Sequence, residues 1–502
     1  MTPAASSLRD EAPPSLDLDP EDLLREISRR ALEYWFRVPP ERLHRALRRV
    51  DPELIAQNRA ALVLYFATRG EGADDLPWIT PPDAPPVPES LRDIVEVFRL
   101  LESGRPAAAA RLMDRAYAHL LAGTADTHRT RDGGWTAAVA LHTGTTRALA
   151  GDFGAAAADL ARAGVWHVPD TLMCVPRDAH AMLALVHALV GDYRIAAWAL
   201  RSLERMTPSD SWLEPEIDAT ARIAEASLTE PSARPAASDD FSLAAFVLDT
   251  HPAGVYRGRW PFLVWQVTRS LLRQERISDA ETQIEQFRRA RLPGCDGDGL
   301  PRSVLPCTAA TVACLREDDA AAWRLLAEAD PDCDLTITTT ATTALQFGRY
   351  EQARAAAERL LDRCGELRGS RIAAIGVLAA AALRDGDRAG AEALLRPLAF
   401  ESRPLARSEE PWLPSDVREL LGEMESESRR PAATPSPPAG LTRGDLEILA
   451  LLDSPLSRQE IADRLFVSLN TVKSRIAGVY RKLGVASRGD AVAAARVRGV
   501  LG

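Results

Sequence analysis

The chain has 502 residues, a hydrophobic fraction of 46 % and a formal net charge of −10, so its apolar content suffices for a large core. Only Lys473 and Lys482 are lysines among its 61 basic residues. No Gly-rich loop carries a lysine, which excludes a Walker A nucleotide site and argues against Schiff-base catalysis. A high-GC genome explains the preference for arginine, but not why both lysines lie in the last 62 residues.

The charge is divided unevenly along the chain. Residues 441–502 hold 10 basic and 6 acidic residues, a net +4, which leaves −14 for residues 1–440. We therefore expect the long upstream part to repel DNA and the C-terminal part to be attracted to it.

The N-terminus shows no cationic start followed by an apolar stretch, and the conspicuous apolar run 372–383 is too short to span a bilayer. We expect a cytoplasmic protein that does not enter membranes. The six cysteines form no CxxC pair and are predicted to be buried structural thiols. The eight histidines show no ligand or triad spacing; even His180 and His187, seven apart, lack acidic neighbours at metal spacing. No metal, cofactor or enzymatic activity is expected.

Residues 1–20 are rich in Pro, Ser and Asp and are predicted to lack fixed structure. Residues 21–428 are dominated by Ala, Leu and Arg at helical spacing. The Thr-rich run Leu335–Thr343 has competing strand propensity, but the repeat that follows it favours a helix. Thr229–Asp240 (TEPSARPAASDD) is predicted to be a loop inserted in the helical array.

A short motif recurs through this part of the chain. It has a glycine that ends one helix, an aromatic residue two positions later in three of the four copies with the glycine, and an alanine five positions later that permits close helix packing. Copies start at Gly151, Gly191, Gly348 and Gly386, and weaker copies without the glycine start at Glu275 and Glu317. Stacked helical pairs of this kind predict an α-solenoid, and an irregular helical domain is the alternative. Five tryptophans either line a concave ligand-binding face or belong to the core: Trp198, Trp212, Trp260, Trp265 and Trp323.

Residues 429–440 contain four prolines and are predicted to be a semi-extended linker to a separate domain, 441–502. Four helices are expected there. Thr442 with Asp445 and Ser457 with Glu460 are candidate capping boxes, and Ser468 and Ser487 are candidate N-caps of the third and fourth helices. Gly484 is expected to end the third helix. Its exposed face carries cations and small residues, which suits a helix that enters a DNA major groove.

The segment resembles the DNA-binding domain of LuxR/FixJ-type bacterial transcriptional regulators. The leading Leu441-Thr442, the Glu-Ile-Ala at 460–462, the Ser-x-x-Thr-Val-Lys at 468–473 and the Lys-Leu-Gly-Val at 482–485 carry the resemblance. It implies that three residues face bases: Lys473, Ser474 and Ala477. It also implies that five hold the phosphate backbone: Ser468, Asn470, Thr471, Arg475 and Lys482.

Two residues depart from the family pattern. Pro455 stands where glycine is usual between the first two helices, so the family's geometry is not carried over to that turn, and Arg475 stands where histidine is common. The family's fourth helix supports dimerisation, so Ala491, Val492 and Ala495 are interpreted as an apolar strip left for a partner in a homodimer.

The upstream repeats resemble tetratricopeptide repeats, and the helical part of large MalT-like regulators, without their ATPase domain. The expected fold is therefore all-α: a solenoid of tetratricopeptide-like hairpins followed by a four-helix LuxR-type helix-turn-helix domain. The leading hypothesis is a sequence-specific transcriptional regulator, most simply an activator, that binds double-stranded DNA and RNA polymerase. A small molecule or protein at the repeats would switch it. The alternative is an interaction scaffold whose helix-turn-helix docks on RNA polymerase instead of DNA.

Overall fold

The computed structural model describes residues 13–68, 89–124, 134–228, 259–400, 413–429 and 441–497, apart from 455, 466 and 486. Within these ranges the chain forms helices and turns and no strand, which confirms the all-α expectation. The chain divides into two compact units, residues 1–421 and 422–502. The predicted loop 229–240 and residues 430–440 of the predicted linker lie outside the described ranges, as do residues 1–12.

The first six helices are α1 (Pro20–Arg37), α2 (Pro40–Leu47), α3 (Pro52–Gln57), α4 (Arg59–Ala67), α5 (Glu89–Glu102) and α6 (Pro106–Thr124). They are followed by α7 (Trp135–Ala150), α8 (Phe153–Val165), α9 (Cys174–Leu189), α10 (Tyr193–Glu204) and α11 (Glu214–Leu228). Next are α12 (Trp260–Arg273), α13 (Ile277–Arg289), α14 (Gly299–Leu315), α15 (Asp319–Leu326), α16 (Asp334–Gln346), α17 (Tyr350–Arg363), α18 (Arg368–Arg384), α19 (Arg388–Phe400) and α20 (Ser415–Arg429). The C-terminal helices are α21 (Arg443–Leu452), α22 (Arg458–Arg464), α23 (Leu469–Leu483) and α24 (Arg488–Val497).

Each motif position found in the sequence is the turn of a helical hairpin. The residue in the turn has a left-handed φ between 59° and 87°, including the two copies that have glutamate instead of glycine, Glu275 and Glu317. The amide of the turn residue and the amide after it donate to carbonyls of the last helical turn; in the α7–α8 hairpin, Gly151 donates to Ala148 O (3.1 Å) and Asp152 to Arg147 O (2.9 Å). This is the Schellman arrangement, which satisfies carbonyls at a helix end. A seventh turn of this kind, at Gly104 between α5 and α6, was missed in the sequence.

The alanine five residues after each turn residue is fully buried at all seven positions: Ala109, Ala156, Ala196, Ala280, Ala322, Ala353 and Ala391. A small side chain here lets the second helix of the hairpin approach the first. In the α7–α8 hairpin the close approach is also visible at Gly144, where an added Cβ would lie 2.7 Å from Leu160 Cγ. The spacing in the sequence therefore marks a packing requirement.

Hairpins that are distant in the chain also contact each other. The Asp298 carboxylate accepts hydrogen bonds from the amides of Ala107 (2.7 Å) and Ala108 (3.1 Å), and so caps α6. The Asp334 amide donates to Gly151 O (2.9 Å), and its carboxylate accepts from the Phe153 amide (2.9 Å). In a solenoid each repeat contacts only its neighbours, so neighbour stacking alone does not describe this unit.

The structure shows where the Thr-rich run, the five tryptophans and the cysteines lie. The Thr-rich run lies in α16, as predicted. Trp260 is buried, and Trp212, Trp265 and Trp323 pack partly buried against the main core, whereas Trp198 is 44 % exposed. Five of the six cysteines are buried, and Cys295 is half-buried.

His180 and His187 are both buried in α9, where His187 Nδ1 lies 3.0 Å from an Asp192 carboxylate oxygen. Across the described ranges, no cluster of His, Cys, Asp and Glu has the geometry of a metal site. None of the helices in those ranges is long and apolar enough to cross a membrane.

Candidate nucleic-acid interface

Helix α23 is fixed at both ends by the residues that the sequence indicated. The Ser468 hydroxyl accepts a hydrogen bond from the Thr471 amide (3.2 Å) and lies 2.8 Å from the Thr471 hydroxyl. At the other end Gly484 adopts a left-handed φ of 71°, and the Val485 amide donates to Tyr480 O (3.0 Å). Both predicted caps are confirmed, so the helix has a defined length and register.

The two preceding helices are also capped as predicted. Thr442 and Asp445 form a complete capping box at the start of α21. At α22 the Ser457 amide donates to the Glu460 carboxylate (2.7 Å), and the Glu460 amide donates to the Ser457 hydroxyl (3.3 Å). Each box satisfies amides that a helix start otherwise leaves without a partner.

A compact core holds the four helices of this domain together. Its α23 members are Val472, Ile476, Val479 and Leu483, all less than 5 % exposed, with Tyr480 packed partly buried against them. They meet Ile448, Leu449 and Leu452 of α21 and Ile461 and Ala462 of α22. One face of α23 therefore packs in the core, and the opposite face is accessible to a ligand.

The predicted site residues of α23 lie mainly on that opposite face. Five side chains are exposed: Asn470, Lys473, Ser474, Arg475 and Ala477. Thr471 is half-buried beside the Ser468 cap. An added Cβ at Gly478 would meet nothing within 4 Å, so the surface next to Ala477 is open. The structure therefore brings the predicted base-facing residues together on an accessible surface.

Lys482 has a partner within the domain that the sequence did not indicate. Its Nζ lies 2.5 Å from Oδ2 of Asp445, which joins the end of α23 to the capping box of α21. Burial alone would raise the pKa of the Asp445 carboxyl, but hydrogen bonds from Lys482 and from the Thr442 amide and hydroxyl outweigh it and lower that pKa to about 2. Lys482 is still one-third exposed.

The structure shows two further arginines whose positions indicate a role that the sequence analysis did not assign. Arg481 is exposed and continues the line formed by Asn470, Ser474 and Ala477 at helical spacing. Arg488 in α24 donates to the carbonyls of Leu452 (2.8 Å) and Leu456 (2.7 Å), and so fixes the turn after α21. The sequence could have indicated a role for Arg488. A cation in the first turn of a helix interacts unfavourably with the helix dipole, so a specific contact is expected to offset that cost.

The expectation of an apolar strip on α24 is wrong. Ala491 and Ala495 are fully buried in the core of their own domain, and Val492 packs partly buried against it. In a domain of only four short helices, the fourth is needed to close the core, so its apolar side is not left for a partner. Pro455 lies outside the described residues, so the geometry expected of its turn stays a prediction.

Comparison with known proteins agrees with this geometry. Residues 439–495 match the GerE family, described as bacterial regulatory proteins, luxR family. The chain is also 35 % identical over 82 residues to the transcriptional regulatory protein LiaR of Bacillus subtilis (strain 168). That match covers 16 % of this chain and 37 % of LiaR, so the chain spans little more than a third of that relative's length. The C-terminal unit is therefore a helix-turn-helix domain of the luxR family.

Proposed function

We propose that this protein is a sequence-specific DNA-binding transcriptional regulator that places α23 in the major groove. The observation that carries the proposal is the exposed face of α23, where cations and small side chains lie together on a helix held at both ends. Helix α23 contains four cations and no acidic residue. A helix of this kind fits the width of the groove and is attracted by the phosphates on both sides.

Within this proposal the residues divide into two groups. Lys473, Ser474 and Ala477 face base edges, where a lysine reads guanine acceptors and a small side chain permits close approach. The remaining residues hold phosphates and set the register of the helix: Ser468, Asn470, Thr471, Arg475, Arg481 and Lys482. Because Lys482 is paired with Asp445, its contact with a phosphate involves sharing or exchanging that partner.

The helical unit is proposed to be the sensor. Its stacked hairpins present large surfaces of the type that repeat proteins use for binding, and a small molecule or protein bound there would control the DNA-binding domain. Activation through contact with RNA polymerase, and binding as a homodimer to two half-sites, complete the proposal. The dimer contact must use surfaces other than Ala491 and Ala495, because both are buried.

The proposal is tested by selecting duplexes from a random-sequence library with the full-length protein, followed by titration of the selected site. We expect Lys473→Ala to lower affinity for that site by about 5–150-fold, the equivalent of roughly 1–3 kcal/mol for a base contact. Arg475→Ala should reduce the slope of log affinity against log salt by about 0.9, the value for one phosphate contact. Arg42→Ala, which removes an exposed cation of α2, is the matched control and should change neither quantity.

Failure to enrich any duplex, together with equal affinities of wild type and Lys473→Ala at low salt, would contradict the proposal. Co-purification with RNA polymerase from nuclease-treated extract in that case would favour the scaffold alternative. An activator should raise transcription from a template that carries the selected site in a purified system, and a repressor should lower it.

A further inference from the structure

A cleft of about 740 Å³ opens on the helical unit between the end of α13 and the start of α14. Its volume is in the range of small-molecule binding sites. The floor is apolar, from Leu292, Pro301, Leu305 and Pro306, and Cys295 is the half-buried thiol in its wall. Three arginines reach the same cleft: Arg288, Arg291 and Arg302.

The walls of the cleft are held by contacts from distant parts of the unit. The indole Nε1 of Trp260 donates to Pro293 O (3.1 Å), and the Asp298 amide donates to Gly104 O (3.1 Å). Gly294 and Gly104 lie so close that an added Cβ at Gly104 would clash with the Gly294 backbone. The loop 290–298 is therefore fixed from both sides, and the cleft is formed before any ligand binds.

Two of the three arginines of the cleft have guanidinium groups that the fold does not use. Arg302 donates to Glu328 O (2.9 Å), but the guanidinium groups of Arg288 and Arg291 have no hydrogen bond or ion pair with any described residue. The carboxylates of Asp296 and Glu328 also line the cleft. Neither of them lies within ion-pair distance of Arg288 or Arg291 in the described structure, so the end formed by these two arginines is available to an anion.

The backbone conformation at Arg291 decides which substitution can test its side chain. Arg291 has a left-handed φ of 48°, a conformation that residues with a Cβ adopt at a cost. Glycine would relieve this strain, as it does in most helix-ending turns of this chain. Because Glu275 and Glu317 end helices in the same conformation, the strain marks the end of α13, and Arg291→Gly is a substitution that removes the guanidinium without straining the backbone.

From this geometry we propose that the cleft binds a small organic anion, with its carboxylate or phosphate group at Arg288 and Arg291 and its apolar body on the leucine and proline floor. A guanidinium group matches both kinds of oxyanion through paired hydrogen bonds. The proposal rests on the sensor role of the helical unit and names the site and the class of its ligand.

The site is tested with full-length protein and three anionic probes. Binding of 8-anilinonaphthalene-1-sulfonate is measured by its fluorescence, and binding of decanoate and decyl phosphate is measured by the loss of that fluorescence as they displace it. We expect saturable binding of one probe molecule per chain, with decanol at least tenfold weaker than the tighter of the two aliphatic anions. The decanoate and decyl phosphate arms tell which head group the arginines prefer.

Two variants separate binding from folding. Arg291→Gly removes the guanidinium but relieves the backbone, so it should keep or raise the unfolding temperature while it weakens probe binding at least tenfold. Arg288→Ala should weaken binding to a similar degree. Arg324→Ala, an exposed arginine of α15 outside the cleft, and Glu317→Gly, another left-handed position, are the matched controls and should bind as wild type does.

Cys295 supplies a second, site-specific readout, because the other five cysteines are buried. Bound probe should slow alkylation of Cys295 by iodoacetamide at least fivefold, and Cys295→Ser should abolish that labelling. Absence of saturable binding by all three probes, wild-type affinity in Arg291→Gly and Arg288→Ala, or an unprotected Cys295 at saturation would each overturn the proposal. These measurements contain no DNA, so their outcome is independent of whether α23 binds a duplex.

Discussion

Glu317 ends α14 in a left-handed conformation that four of the other hairpin turns and the α5–α6 turn assign to glycine. A Cβ in this conformation costs the folded state about 1–2 kcal/mol, which glycine removes. Glycine also increases the entropy of the unfolded chain, and this opposes part of the gain in stability. We expect Glu317→Gly to stabilise the helical unit by about 0.5–1 kcal/mol, measured by urea denaturation. Gly348→Ala is the matched opposite change, since an added Cβ there meets only the Tyr350 hydroxyl at 4.0 Å, and it should destabilise by a similar amount. Equal midpoints for both variants would contradict this account.

Asp445 is the residue through which α21 and α23 are joined. Replacing it with alanine removes one half of the capping box and the partner of Lys482, and should destabilise the C-terminal unit by about 0.5–2 kcal/mol near neutral pH. The measurement is hydrogen exchange in α21 and α23, corrected for intrinsic rates. Glu447→Ala, an exposed acid on the same helix, is the control and should have little effect.

The contribution of Asp445 to the stability of the C-terminal unit depends on pH. The pKa of Asp445 is lowered from 3.8 to about 2 in the folded protein, so its contribution to stability is present above about pH 4 and is lost as the pH falls towards 2. The difference between wild type and Asp445→Ala should therefore shrink over this interval. A difference that stays constant from pH 5 to pH 2 would show that the ionised carboxylate is not what stabilises the fold.

At the scale of helices, the hairpins were the most predictable part of the molecule, because a turn residue and a buried alanine five positions later recur at fixed spacing. The motif of the α5–α6 hairpin was not recognised in the sequence, because Pro106 stands where the other copies with glycine have an aromatic residue or arginine. Gly104 and Ala109 nevertheless have the spacing of the motif. In the C-terminal unit the caps of α21, α22 and α23 were all predictable, since each cap depends on residues three apart in the chain.

Contacts between distant helices had no local signal. Asp298 caps α6 across 190 residues, and Arg488 fixes a turn more than 30 residues away. The error at Ala491 and Ala495 has the same origin. An apolar face on a helix indicates that something covers it, but only the three-dimensional arrangement shows whether the cover is the same domain or a partner.

The buried alanine of each hairpin can be tested directly. Ala156 of α8 is fully buried where the helix meets α7, so a larger side chain has to displace its neighbours. We expect Ala156→Leu to lower the free energy of unfolding by about 1–3 kcal/mol. Ala158→Leu on the exposed side of the same helix is the matched control, with an expected change within about 0.5 kcal/mol. Near-equal urea midpoints for the two variants would mean that the hairpin tolerates a wider separation of its helices.

At the scale of the helical unit, a buried charge cluster links α9, α11 and α12. Arg259 donates two hydrogen bonds to the Asp178 carboxylate (2.7 and 2.9 Å), and its Nε lies 4.0 Å from the Glu216 carboxylate. All three residues are less than 9 % exposed. Burial of the carboxyl raises the pKa of Glu216 to about 8. The attraction of Arg259 opposes this shift, and the negative charge of Asp178 adds to it.

The direction of this pKa shift has a consequence for the whole unit. A carboxyl whose pKa is raised by folding favours the folded state when it is protonated, so its contribution is fully present below about pH 4.5 and is lost as the pH rises towards 8. We expect the helical unit to unfold at a lower urea concentration at pH 8 than at pH 6. Glu216→Gln keeps the size of the side chain without the charge and should flatten this dependence, whereas Glu351→Gln, which replaces an exposed acid of α17, should leave it unchanged. If the difference in midpoint between wild type and Glu216→Gln is instead constant from pH 6 to pH 8, Glu216 does not change its protonation state over this interval and the prediction is wrong.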